Sequence, residues 1–131
     1  MICGIGIDAA SIERAGRLDR HAVEKIFHPL EVERYSALEN AAQSVRSQFL
    51  ASRFAVKEAY AKARGTGFCE NVIPCEICTT EDENGKPEVH LYGRTAQHHP
   101  ANQIIHVTIT HQKPLALAVV ILEQEGGHEQ S

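Results

Sequence analysis

The sequence predicts an α+β fold in a single domain, a mostly antiparallel sheet packed on one long helix. Three observations predict it. A continuous helical stretch, "SVRSQFLASRFAVKEAYAKAR" over 44–64, stops at Gly-Thr-Gly, a natural C-terminal break. Runs rich in β-branched residues stand at both ends of the chain, "ICGIGID" at the start and "IIHVTITH" and "LALAVVILE" at the end. The last two are joined only by "QKP", the short connection that antiparallel neighbours permit.

The elements follow in order. In the opening strand Gly4 and Gly6 alternate with Ile5 and Ile7, so one face has almost no side chains. Such a face marks either helix packing or the close approach of a ligand. Ser11 can cap a helix from Ile12, with Glu13 in its first turn, and Arg14, Arg17 and Arg20 recur along "SIERAGRLDRH". "HPLEVERYSAL" is a second short helix with Pro29 near its start. After the long helix, "VIPCEICTT" and "EVHLYG" form strands about an "ENGKP" turn, and "RTAQHH" a short helix. The domain is expected over 1–123, with 124–131 a disordered tail.

With 131 residues, 43% hydrophobic and 23% charged, the chain is an ordinary folded domain that can bury a real core. No apolar run is long enough to span a membrane, and "MICGIGIDAA" lacks the basic start of an export signal, so a cytoplasmic protein is expected. The net charge of −4 and the 5% aromatic content argue against a nucleic-acid surface. The bases nevertheless concentrate at 44–65, where Arg46, Arg53, Lys57, Lys62 and Arg64 oppose only Glu58. A local anionic ligand explains that better than a broad interface. Cys75 and Cys78 form a lone CxxC with no second pair, so they read as buried apolar residues rather than a metal or redox site.

On a helical wheel Arg53, Lys57 and Arg64 share a stripe whose simplest reading, for Lys57 and Arg64, is a solvated face. Glu58 and Lys62 lie elsewhere, among Ala51, Phe54, Ala55 and Gly65. An exposed Glu-Lys pair at i,i+4 contributes only ~0.2–0.5 kcal/mol, but charge amid small apolar neighbours is costly unless paired or bound. Asp8, closing the glycine-lined strand, could project into the same space as Glu58. Two such carboxylates repel unless they share a proton or a cation, and Mg²⁺ suits one or two of them together with substrate phosphate. In "HVTITH" strand alternation puts His106, Thr108 and Thr110 on one face and His111 on the other, before a turn.

"GIGIDAASIERAGRL", "FLASRFAVKEAYAKARGTGF" and "HVTITHQKPLALAVVILE" resemble the three conserved blocks of the holo-[acyl-carrier-protein] synthase family, small bacterial 4′-phosphopantetheinyl transferases. The blocks stand in that family's order, and with "ERY" and "NGKP" the resemblance covers nearly the whole chain outside the tail. It implies Mg²⁺-dependent transfer of the phosphopantetheine arm of coenzyme A to a serine of apo-acyl carrier protein, releasing adenosine 3′,5′-bisphosphate, in fatty-acid or polyketide synthesis. It also implies a cytoplasmic homotrimer with active sites between subunits. By the same likeness Asp8 and Glu58 are metal ligands and Lys62 lies near the reacting phosphate, with Lys62 or Glu58 as the base. Arg53, Gly65, His106, Thr108, Thr110 and His111 would line the coenzyme A pocket, and Arg14 and Arg17 on the first helix would dock the acidic carrier. Thr108 stands where the family more often has serine, and residues 21–33 match no secure pattern. The rival reading is a non-catalytic homotrimer that binds Mg²⁺ and nucleotide.

Overall fold

Two glycines set how the layers of this fold meet. In the computed structural model, which describes residues 1–126, the first strand β1 (Ile2–Ser11) lies directly on the long helix, Gln43–Arg64. A Cβ on Gly4 would overlap the carbonyl oxygen of Ala63, and one on Gly6 that of Ala59. Of the two uses open to a glycine face, helix packing is the one realised here. The alternation then continues: Gly4, Gly6 and Asp8 face the helix, while Ile5 and Ile7 face away. Gly6→Ala should therefore push the layers apart and cost about 3 kcal/mol, read as a lower melting temperature; an unchanged melt would show that the helix backbone can retreat freely.

Between β1 and that helix come three short helices: α1 (Ile12–Gly16), α2 (Arg20–Ile26) and α3 (Pro29–Ser36). The single arginine-bearing helix expected after Ser11 is thus two. Ser11 caps α1 by accepting from the Arg14 N–H, as expected. Gly16, the last residue of α1, leaves no room for a side chain against Ser47, and Asp19 caps a new helix by accepting from Ala22 N–H. Pro29 opens α3 in a capping box between His28 and Glu31. The long helix, α4 (Gln43–Arg64), ends at Gly65, whose φ of 78° is the left-handed conformation glycine takes without strain.

Beyond α4, Pro74–Glu76 forms a 3₁₀ turn where a strand was expected, because Pro74 cannot donate to a ladder. β2 (Ile77–Glu81) and β3 (Pro87–Leu91) pair as an antiparallel hairpin. The short helix α5 (Gly93–His98) leads to β4 (Gln103–Gln112) and β5 (Leu115–Gln124). β5 is the centre of a three-stranded antiparallel sheet, β1-β5-β4, and runs one residue past the expected domain end at 123. Residues 127–131 of the expected tail lie outside those described.

The main core lies between α4 and the inner face of that sheet. Ala55, Val56, Ala59, Tyr60 and Ala63 of α4 meet Ala118, Val120 and Leu122 of β5. Small residues on α4 let the sheet approach closely, as expected of a chain so poor in aromatics. The other sheet face is uncovered: Ile5 is 66% and Ile7 58% exposed. They pair with Ile121 and Val119 of β5, and His106 and Thr108 of β4 lie directly beyond. No helix among the described residues is long and apolar enough to cross a membrane.

Candidate active site

Asp8, on the helix-facing side of β1, meets α4 at Lys62. The ammonium donates to Asp8 Oδ1 at 2.9 Å and to the Ile7 carbonyl at 3.1 Å. Glu58, one turn earlier on α4, opens with Asp8 onto a depression of about 420 Å³ also lined by Ser11, Arg14, Phe54 and Ile26. The sequence expectation that Asp8, Glu58 and Lys62 converge is met. Glu58 forms no hydrogen bond or ion pair among the described residues. Partial burial holds its carboxyl above the usual range, the Asp8 charge adds to this, and Lys62 opposes it.

The first arginines divide. Arg17 pairs with Glu13 at 2.9 Å and Arg20 with Glu24 at 2.8 Å, both exposed. Arg14 has no ion pair among the described residues and lines the depression beside Asp8 and Glu58. Gly65 ends α4 one turn after Lys62, with open space where a side chain would stand.

A second depression, of about 480 Å³, shares no lining residue with the first. Arg53 and Phe49 of α4, Arg34 of α3, Glu81 and Pro87 of the β2–β3 hairpin, Gly85 in its turn, and Ile109 and His111 of β4 line it. The Arg53 guanidinium lies 4.3 Å from the Phe49 ring centroid, has the Glu81 carboxylate no nearer than 3.7 Å, and keeps a buried Nε without a partner. Arg53 and His111 are therefore brought together, as expected. His106, Thr108 and Thr110 are not, because strand alternation turns them onto the exposed sheet face. His106 there meets Glu123 at 2.8 Å.

The stripe read as solvated is the largest departure. Arg64 donates to the Tyr60 hydroxyl and the His98 carbonyl, both at 3.1 Å. Lys57 is 0% exposed, paired at 2.6 Å with Glu31, itself 1% exposed. Burial pushes the Lys57 ammonium below its ordinary pKa, and the Glu31 carboxylate opposes that. Sequence reading missed Glu31 altogether; its position three residues after His28 signals a helix cap, not a buried ion pair. Cys78 is buried as expected, its thiol pushed up to about 11 by burial first and by Glu31 second, which leaves it inert. No three potential metal ligands cluster among the described residues.

Two carboxylates and a lysine converging where a helix meets a strand, with a separate cationic basin nearby, give this α+β domain the form of a small group-transfer enzyme. The chain belongs to the 4′-phosphopantetheinyl transferase superfamily, whose model matches residues 4–120. A holo-[acyl-carrier-protein] synthase of Nitratidesulfovibrio vulgaris (strain DP4) is 42% identical over 129 residues, covering 94% of this chain and 99% of its own. One from Geobacillus sp. (strain WCH70) is 40% identical over 124 residues, covering 95% and 98%. Among solved structures, the holo-(acyl-carrier-protein) synthase of Bacillus anthracis in complex with CoA (3′,5′-ADP) superposes with a TM-score of 0.81 at 34% identity, covering 95% of this chain and 99% of that one. The Neisseria meningitidis synthase does so with a TM-score of 0.84 at 28% identity, covering 95% and 100%.

Proposed function

We propose that the protein transfers the 4′-phosphopantetheine arm of coenzyme A to a serine of an apo-acyl carrier protein, releasing adenosine 3′,5′-bisphosphate, in fatty-acid or polyketide synthesis. The observation that carries this is the Asp8–Lys62 pair beside a Glu58 that has no partner among the described residues, in a chain so similar to proteins named for that activity. Asp8 and Glu58 would hold Mg²⁺: both offer oxygen donors, and their mutual repulsion calls for a cation. Bound there, the ion supplies neutralisation of phosphate charge. The chain's own residues do the rest. Lys62 presents its ammonium to the phosphoryl oxygens in transit. A serine hydroxyl is too weakly acidic to react unaided, and Lys62 or Glu58 would take its proton. The serine oxygen then bonds to the phosphorus nearer the pantetheine arm, and the bond from that phosphorus to the oxygen of the other phosphate breaks.

Coenzyme A would place its nucleotide end in the Arg53–His111 depression, whose wall the Arg53 guanidinium forms, and its pyrophosphate would approach Gly65. These half-sites lie in separate depressions of one chain, so the active site needs the Arg53 face of a neighbouring copy. The uncovered Ile5–Ile7 face, with His106, Thr108 and Thr110 along it, is the surface for that association. On this reading those three β4 residues lie at the subunit contact. The homotrimer implied by the family resemblance should appear as three times the chain mass in light scattering; a monomer fully active at assay concentration would refute it. A cytoplasmic setting goes with these substrates.

Intact-mass spectrometry of an apo-acyl carrier protein incubated with this protein, coenzyme A and Mg²⁺ tests the reaction. The carrier should gain one phosphopantetheine, and EDTA should abolish the gain. Binding of coenzyme A with no gain, on a carrier that a known transferase modifies, would favour the non-catalytic homotrimer that binds Mg²⁺ and nucleotide.

Arg14 stands at the mouth of the Asp8–Glu58 depression, with Arg17 on the exposed side of the same turn. Opposite charge steers an acidic carrier toward them. Reversing both to Glu should raise KM for the carrier about tenfold and leave KM for coenzyme A unchanged; equal effects on both would refute docking there.

A further inference from the structure

Glu31 and Lys57 join four elements through one buried pair. Lys57 Nζ donates to Glu31 Oε1 at 2.6 Å, to the Pro74 carbonyl at 3.0 Å and to the Ile77 carbonyl, so all its donors are used. Glu31 Oε1 also accepts from His28 N–H at 3.1 Å, and Oε2 accepts from Thr79 N–H at 2.9 Å. The pair thus binds α3, α4, the 3₁₀ turn and β2 to one another by directed bonds.

Each of three of these elements also supplies a wall of the Arg53–His111 depression, at a residue on the face of the clasp. Arg34 is three residues after Glu31 on α3, Arg53 is four before Lys57 on α4, and Glu81 is two after Thr79 on β2. On the two helices those offsets are same-face spacings, and on β2 the clasp holds the main chain two residues before Glu81. An apolar pair of similar volume would hold such a junction at least as stably. It would not set the height of β2 against α4, which the bonds to Ile77 and Thr79 do.

We infer that Glu31 and Lys57 are positioning residues for the nucleotide-binding basin, a clasp that holds Arg34, Arg53 and Glu81 at the spacing the ligand needs. The inference rests on the reading that this basin takes coenzyme A. The pair makes no hydrogen bond to Asp8, Glu58 or Lys62, so its loss acts on coenzyme A affinity and spares the chemical step.

The test is the double variant E31Q/K57M, which removes both buried charges together, with E31Q alone, which leaves the Lys57 ammonium without its counter-charge, as a second variant. E31Q keeps an acceptor for Lys57 and cannot also accept from Thr79 N–H, so it removes one of the two bonds to β2 and leaves the Lys57 bond to the Ile77 carbonyl. In the folded double variant, KM and calorimetric Kd for coenzyme A should rise about tenfold. kcat and KM for the carrier should stay within about twofold, and E31Q should give a smaller rise of the same kind. An unchanged KM for coenzyme A, or a uniform change in every constant, overturns the inference. A measurement on the wild-type protein covers the case in which neither variant folds. Coupling is reciprocal, so coenzyme A should slow hydrogen exchange at the Thr79 amide, and equal exchange with and without it overturns the clasp. Wild-type protein that neither binds coenzyme A nor transfers its arm would overturn the functional reading. Wild-type activity with unaltered variant affinities would overturn only the clasp.

Discussion

Glu58→Gln should lower kcat for phosphopantetheine transfer by about two orders of magnitude or more while leaving the protein at least as heat-stable as before. The substitution keeps shape and volume, so the packing of α4 on β1 is undisturbed. What changes is charge. The amide would still offer one oxygen, but not a second carboxylate for Mg²⁺ beside Asp8, and it could not serve as a base. The stability half of the prediction follows from the raised pKa of Glu58, whose charged form is disfavoured in the fold by burial first and by Asp8 second. Removing that charge relieves repulsion, so the melting temperature should hold or rise. The two measurements together separate a site residue from a structural one. Full Mg²⁺-dependent turnover by the variant would overturn the assignment of Glu58 to metal and proton.

Lys57→Met should have the largest effect on folding. It removes the cation from a pair buried at 0% and 1% exposure and leaves the Glu31 carboxylate without its charge partner. Breaking one side of such a pair costs about 3–5 kcal/mol, a fall in melting temperature on the order of 10–20 °C for a domain of this size. Adding Glu31→Gln should recover part of that loss, because the uncompensated charge goes even though the Pro74 and Ile77 carbonyls still lack a donor. If K57M melts within about 2 °C of the wild type, the pair is not buried in solution as it is here. A solvated Lys57 would give that small effect, so this one melt decides between the stripe read as solvent-facing and the clasp.

The contrast between Lys57 and Lys62 shows what a linear pattern can say. Both belong to "KEAYAK", and both stand on a helix rich in alanine. Lys62 was recognisable because its stripe is otherwise small and apolar, and because Asp8 closes a strand whose glycines leave one face open to a helix or a ligand. Periodicity alone carries that information: Gly4, Gly6 and Asp8 must share a face, and two side chains one helical turn apart must neighbour each other. Lys57 shares its stripe with Arg53 and Arg64, and three cations in a row have the look of solvent exposure. Whether water or protein covers such a stripe depends on which distant elements return to it. Here α3, the 3₁₀ turn and β2 do so, and one carboxylate 26 residues away makes the burial tolerable.

A similar division runs through the third strand block. Alternation in "HVTITH" separates His111 from His106, Thr108 and Thr110, and that much was legible. Which face would meet Arg53 was not, since it depends on the β4–β5 register and on the β2–β3 hairpin packing beside it. The need for a glycine at the end of α1 was hidden for the same reason: Gly16 packs against Ser47, which lies far along the chain on α4.

By itself, then, the sequence determined the α+β class, the strand–helix–strand order, the shared face of Gly4, Gly6 and Asp8 on β1, and the one-turn spacing of Glu58 and Lys62. All of these follow from local periodicity, caps and breaks, which act over a few residues. Only the tertiary structure decided that the glycine face of β1 packs on the long helix, that Asp8 meets Glu58 and Lys62, that Lys57 is an interior cation, that Arg53 and His111 form a basin apart from the carboxylates, and that the Ile5–Ile7 face lies open. Those depend on which surfaces of distant elements lose their water to one another. A pattern along the chain does not carry that information until the chain has closed on itself.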